Sequence, residues 1–347
     1  MRVAFVAMET SRHEDTPATR RLERVARLLA DRGHEVTVFC GQWWDDYDDE
    51  MVVDGVRYRA VTLGTAPSSF FARIPFLLAR YRPDVVHTRP TPQNQVFAAI
   101  AGSSVARAPL AIEWYGTEDL DEENRATRWA TSKPQRVITP SEFVRTSARE
   151  VGATDDNICV IPESIDFSSI GAVDPVEEID VVYAHPLDGS ANVDDLLLGL
   201  AELRERDWSA TIVGDGPLRE EYEAETAKLR IDDRVRFAGA CGRQRRIGIY
   251  RGAHVFVQTA YREVFATELL WALACGCVGI VEYQTESSAH ELIENYDRSY
   301  RVTDPQGLAD AVVDAAELDH LRVDEFWRAY DHEAVIEDYI DVYRAIE

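Results

Sequence analysis

Ile212-Val213-Gly214-Asp215-Gly216-Pro217-Leu218 carries an apolar run straight into a turn and then into a helical pattern. The apolar residues end a buried strand. Gly214 and Gly216 let the chain turn sharply with bare backbone, while Asp215 and Pro217 favour the turn that starts a helix. Two uses fit this stretch: a structural turn, or a cradle that brings backbone close to a ligand. Working outward, apolar strand patterns recur at 180–183, 235–237, 255–257 and 279–281, with helical patterns between them. Strands that alternate with helices imply a parallel sheet covered on both faces.

The same rhythm fills the first half. A strand at 2–8 precedes a helix at 18–32, where Leu22, Val25, Leu28 and Leu29 fall at helical spacing. Thr16-Pro17 supplies the helix start and Gly33 the stop. Further strands are predicted at 35–40, 84–87, 110–114, 136–139 and 158–161. Residues 168–175, small and turn-forming, read as a linker. The expectation is therefore an α/β protein of two Rossmann-like, doubly wound domains, at 1–168 and 177–323. A C-terminal amphipathic helix, 324–347, is expected to pack back on the first, with Phe326, Tyr330, Ile336, Tyr339, Ile340 and Tyr343 as its apolar stripe. Ligands in such sheets bind at the carboxyl ends of the strands, so the active site is expected in a cleft between the halves.

The chain has 347 residues, of which 46% are hydrophobic and 29% charged, an ordinary globular balance that excludes a disordered chain. Its net charge is −25, and Lys133 and Lys228 are the only lysines among 37 basic residues. Such a field repels nucleic acid and keeps a protein hydrated where salt screens its self-repulsion, so a halophilic source is expected. Even the apolar stretch 96–112 is broken by Ser103, Ser104 and Arg107. With no membrane span and no secretion signal, the expected location is cytoplasmic. Segment 68–82 is apolar yet locally cationic, which suits either a core helix or peripheral contact with a membrane. The five cysteines form no Cys-x-x-Cys pair and are expected to be reduced core residues.

Taken in order, Gly214-Asp215-Gly216-Pro217-Leu218, Arg234 to Gly239, Tyr250 to Val257 and Arg262 to Gly276 resemble the donor half of family 4 glycosyltransferases, retaining enzymes of the GT-B fold. Weaker matches run through Gly33-His34-Glu35-Val36, Pro83 to His87, Thr139 to Phe143 and Val160-Ile161-Pro162, so the resemblance, read as haloarchaeal in type, spans nearly the whole chain. It implies a nucleotide-sugar donor and no resident metal or other cofactor.

Several residues carry the expected chemistry. Glu263 lies between a strand ending near Gln258 and a helix expected to start near Phe265. Backbone N–H groups of Phe265, Ala266, Thr267 and Glu268 are expected to be unpaired there, an anion site suited to a diphosphate. The family places a donor-sugar carboxylate at Glu263, and Tyr115, where members often carry a histidine, is placed either to meet the sugar or to fill the core. These two are the catalytic candidates. Gly214, Asp215, Gly216, His185, Ser287 and Ser288 complete the donor set, although Ser288 and Glu291 also spell a helix capping box. His87 and Arg89, at a predicted strand end, are the acceptor-side candidates, and Arg20 and Arg21 either add charge there or pair with acids.

The chain departs from the family where phosphate and ribose are recognised. Pro186 and Ala191 stand where members carry Arg and Lys, and Trp271 replaces the second glutamate of the family's E-x7-E pair. The expected function is transfer of a hexose, with retention, from a nucleotide sugar to a glycan or lipid-linked acceptor in surface glycan assembly. The alternative is a non-catalytic sugar-binding or scaffold subunit of the same fold.

Overall fold

The computed structural model describes residues 1–118 and 124–347, which form two compact units: Met1–Glu163 with His332–Glu347, and Ser164–Asp331. In the first unit, β1 (Arg2–Val6), α1 (Pro17–Asp31), β2 (Glu35–Gln42), β3 (Glu50–Val53), β4 (Val56–Leu63), α2 (Pro67–Tyr81) and β5 (Val85–Thr88) come first. They are followed by α3 (Gln93–Ala106), β6 (Leu110–Glu113), α4 (Arg125–Ser132), β7 (Arg136–Thr139), α5 (Glu142–Glu150) and β8 (Ile158–Val160). The strands make one sheet in the order β3-β4-β2-β1-β5-β6-β7-β8, parallel except for the β3/β4 hairpin.

That hairpin is absent from the sequence reading, although Asp54-Gly55 carries its signal. Both residues have positive φ, 48° and 77°, the backbone a tight hairpin turn demands.

The second unit holds α6 (Ser168–Gly171), β9 (Ile179–Ala184), α7 (Val193–Glu202), β10 (Ala210–Val213), α8 (Arg219–Leu229), β11 (Val235–Gly239), α9 (Arg243–Gly252) and β12 (Ala253–Gln258). Then come β13 (Arg262–Glu263), α10 (Thr267–Ala274), β14 (Val278–Glu282), β15 (Glu286–Ser287), α11 (Ala289–Ile293), β16 (Ser299–Val302) and α12 (Pro305–Ala315). Its main sheet runs β11-β10-β9-β12-β14-β16, all parallel.

Three expectations are corrected. The segment read as a linker, 168–175, lies within the second unit: Ile170 is buried in its core and Val173 packs against it, while Ser168, Gly171, Ala172 and Asp174 stay exposed. The C-terminal stripe is not one helix from 324: a 3-10 turn, Glu325–Tyr330, puts Trp327 into the second unit's core, and α13 (His332–Ile346) begins afterwards. α13 packs Val335, Ile336, Tyr339, Ile340 and Tyr343 into the first unit's core. All five cysteines are free, but only Cys40, Cys275 and Cys277 are buried.

A buried polar network ties α1, β6 and α13 together. Arg21 donates through Nε to Glu113 at 2.8 Å, and through Nη2 to Tyr339 Oη at 2.7 Å and the Ile161 carbonyl at 2.6 Å. Tyr339 Oη donates to the other Glu113 oxygen at 2.8 Å, and Glu163 pairs with both Arg21 and Arg24. Burial alone would raise the Glu113 pKa, but Arg21, His87 and Tyr339 hold it down at about 2.

Candidate active site

Chain order changes direction once in each sheet. In the second unit β9 leads to β10 and β11 on one side, while β12, β14 and β16 extend on the other. The crevice at such a switch lies beyond the carboxyl ends of its two central strands, here β9 and β12, and is where open α/β sheets bind ligands. His185 follows β9 directly, and Gln258 ends β12.

Glu263 joins them. Gln258 Nε2 donates to Glu263 Oε1 at 3.0 Å, and His185 Nε2 stands 3.5 Å from that same oxygen. The Glu263 side chain keeps 20% of its exposure and that of His185 10%. Burial pushes the Glu263 carboxyl up to about 8; the Gln258 hydrogen bond opposes this and the nearby Glu268 charge adds to it.

Short parallel pairing brings in the next loop. β13 aligns Arg262 with Glu286 and Glu263 with Ser287, and the Ser288 N–H donates to the Glu263 carbonyl at 2.8 Å. Ser288 does not cap α11 through its side chain, so the capping-box reading fails there. Its hydroxyl and the Gln258 Oε1 are both buried without a partner, which marks this crevice as polar surface with unused hydrogen-bonding capacity. Gln258 is a site residue that sequence reasoning missed; its signal is a polar residue closing an otherwise apolar buried strand.

The other donor candidates divide. Gly214 has φ of +143°, and a Cβ there would overlap the His185 carbonyl; a Cβ at Gly216 would overlap that of Leu187. These glycines therefore let two loops of the chain lie against each other, with Leu187 N–H bonded to the Asp215 carbonyl at 3.0 Å. Asp215 is exposed and accepts from the Gly216 N–H at 2.9 Å. Gly214→Ala is expected to cost more than about 2 kcal/mol, read by urea denaturation, because it combines overlap with a strained φ. A loss below about 0.5 kcal/mol, the range of ordinary surface changes, would show the contact to be slack.

The expected helix start is corrected as well. α10 begins at Thr267, Phe265 and Ala266 are buried in the core, and the Thr267 N–H bonds the Phe265 carbonyl at 2.9 Å. Of the four N–H groups expected to be open, that of Thr267 is therefore engaged, and the helix starts two residues later than expected because the Phe265 side chain is buried in the core. Glu268 is engaged by Arg246 and by Tyr250 Oη, the latter at 2.5 Å. Trp271 is buried in the same core, with Arg243 stacked 5.7 Å from its ring.

In the first unit the switch lies between β1 and β5, and Arg89 follows β5. Arg89 is 6% exposed with its Nε unpartnered; burial lowers its pKa against the raising influence of Glu118, Glu9 and Glu14. His87 is corrected: it is fully buried, with Nδ1 2.6 Å from Tyr343 Oη and Nε2 3.4 Å from Glu113, so it belongs to the core network and does not reach an acceptor. Tyr115 is 5% exposed, and its backbone N–H donates to Glu118 at 3.1 Å. Arg21 is likewise inside the network, and Arg20 pairs with Asp15 at 2.6 Å.

Two family models match the chain in succession: Glycosyltransferase Family 4 over residues 18–169 and Glycosyl transferases group 1 over residues 170–324. The chain belongs to the glycosyltransferases of this type and has the GT-B fold. It is an enzyme of the transferase class. A glycosyltransferase from Rickettsia africae superposes with a TM-score of 0.79 at 15% identity, covering 99% of this chain and 98% of that one. HepE from Anabaena, solved in complex with UDP, gives 0.74 at 17% identity, covering 99% and 100%. The lipopolysaccharide outer core galactosyltransferase WaaB gives 0.73 at 17% identity, covering 99% of each. At these identities the likeness establishes the fold. No curated protein matches the sequence. Among the described residues, no helix is long and apolar enough to cross a membrane.

Proposed function

We propose that this chain is a retaining hexosyltransferase that takes its sugar from a nucleotide donor held at the β9/β12 switch of the second unit and passes it to a glycan or lipid-linked acceptor. The observation that carries the reading is the convergence of Glu263, Gln258, His185 and Ser288 there, two of them with buried polar atoms lacking partners. A buried carboxyl beside an amide and hydroxyls suits the hydroxyl groups of a hexose. HepE, which shares the fold, has been solved with UDP-glucose, which favours a nucleotide sugar over a free sugar. Departure of a nucleoside diphosphate leaves an oxocarbenium-like sugar, so rate comes from positioning and from stabilising leaving-group charge. No metal enters this scheme.

The charge of −25 supports work in high salt, in a halophilic cell; surface glycan assembly at the cytoplasmic face is the setting this proposal assigns to it. α2 leaves Phe76 exposed beside Arg80, with Arg73 on the same helix, which favours peripheral contact with a membrane that carries the acceptor.

The test incubates the protein in molar KCl with UDP-, GDP-, ADP- and dTDP-hexoses and follows nucleoside diphosphate release, with the product anomer read by NMR. Release from one donor, a retained anomer, rates unmoved by EDTA and co-sedimentation with vesicles that weakens in Phe76→Ser are the expected results. An inverted anomer would overturn retention, dependence on EDTA the metal-free scheme, and release from no donor the transferase reading of this site.

A further inference from the structure

The loop from β9 to α7 reads Ala184-His185-Pro186-Leu187-Asp188-Gly189-Ser190-Ala191-Asn192 and holds no arginine or lysine. Among the described residues, none hydrogen-bonds or ion-pairs with Glu263 except Gln258 and His185 at its side chain and Ser288 at its backbone. A departing pyrophosphate nonetheless needs positive charge.

The tautomer of His185 is fixed by its neighbour. Nδ1 lies 2.8 Å from the Pro186 carbonyl, which can only accept, so Nδ1 carries a hydrogen and donates it. Nε2 is then left facing Glu263 Oε1 at 3.5 Å. A bare ring nitrogen against a carboxylate oxygen is repulsive; one proton between them, on either atom, makes the contact attractive.

The titratable neighbours of the pair on β9, its loop and α10 are acidic or phenolic. Tyr183 on β9 has its ring 6.5 Å from that of His185, Asp188 faces it from the loop, and Glu268 faces Glu263 from α10. Arg246 of α9 and Tyr250 are occupied by Glu268. Nothing here displaces a proton from the pair.

We propose that His185 and Glu263 share a single proton and that, on the donor-site reading above, nucleotide-sugar binding draws it onto His185 Nε2, which donates to the pyrophosphate. Glu263, now a carboxylate, accepts from sugar hydroxyls. No covalent bond changes in this step; one proton moves from one side of the pair to the other. The burial that pushes the Glu263 carboxyl up to about 8 keeps the proton in place at neutral pH. Below that pH, binding needs no proton from solvent. Above it, binding must take up one, and affinity falls by up to about tenfold per pH unit.

Calorimetric titration with the four nucleotide hexoses, in molar KCl at pH 7 and pH 9 and in buffers of differing protonation enthalpy, tests this. The pyrophosphate diester does not titrate in that range; the ring N–H of the uracil, guanine and thymine donors begins to at pH 9, so uptake is assigned to the pair by its loss in His185→Gln. Expected for the wild type is uptake approaching one proton at pH 9 and weakening by about tenfold between the two pH values. His185→Gln should lose both the uptake and about tenfold in affinity at pH 7, whereas His185→Arg should bind with no uptake and equally at both pH values. Equal wild-type binding at both pH values without uptake, or wild-type linkage surviving in His185→Gln, would overturn the shared proton and leave the donor site standing. If neither the wild type nor His185→Arg binds any donor while circular dichroism shows both folded, the donor site itself is overturned.

Discussion

Replacing Glu263 with Gln is expected to lower hexosyl transfer by about 10²–10³-fold, the scale of losing one aimed polar group in a reaction site, and at the same time to raise the unfolding temperature at alkaline pH. The two effects share a cause. A carboxyl near ~4.3 when unfolded and at about 8 in the native protein binds its proton more tightly when folded. Stability is then full below the lower value and is lost as pH rises between the two, by up to about 1.4 kcal/mol per pH unit. Gln keeps the hydrogen-bonding shape without the ionisation and escapes that loss. The melting curves of the two proteins should coincide below about pH 4 and separate progressively towards pH 8. Glu282, also pushed up to about 8 by burial and by Asp195, leaves part of the alkaline decline in both. Parallel curves across the whole range would show that Glu263 is solvated and that burial does not govern it.

Arg21→Met should be the most destabilising single change in the first unit, at about 3–5 kcal/mol, because it strands Glu113 and Glu163 without their buried counter-charge. The loss reaches across sequence: Arg21 on α1 bonds Tyr339 on α13, so the C-terminal helix should protect its amides less in hydrogen exchange. Acid behaviour should change too. In the wild type, Glu113 contributes stability that is present above the ordinary carboxylate range and is lost as pH falls towards about 2. In the variant, Glu113 has lost Arg21 and is easier to protonate, so the deficit should narrow on acidification. Molar salt should rescue little, since screening acts weakly on a pair only 1–2% exposed. A cost below about 1 kcal/mol, the size of a surface pair, would mean that the network is not the fastening it is taken to be.

The alternation of strand and helix, most of the strand positions and the family resemblance were all legible in the sequence, because apolar periodicity records which faces must be buried. The residues it singled out in the second unit fared unevenly. Glu263, His185 and Ser288 meet at one switch point, whereas Phe265 and Ala266 turned inward, and Gly214 and Gly216 proved to serve the chain's own loops. His87, read as an acceptor-side residue, is fully buried, and Arg21, read either as added charge near the cleft or as a partner for acids, is buried and pairs with Glu113 and Glu163.

What the sequence by itself determined is the doubly wound architecture and the chemical types available at the strand ends, since both follow from local pattern. Which of those residues face one another was decided by tertiary structure alone. The pairing of His185 with Glu263 depends on β9 lying beside β12, although the two residues are far apart in the chain. Whether a polar residue serves a ligand or the core depends likewise on which groups surround it, and a period of two or 3.6 residues carries no record of partners brought together by sheet order.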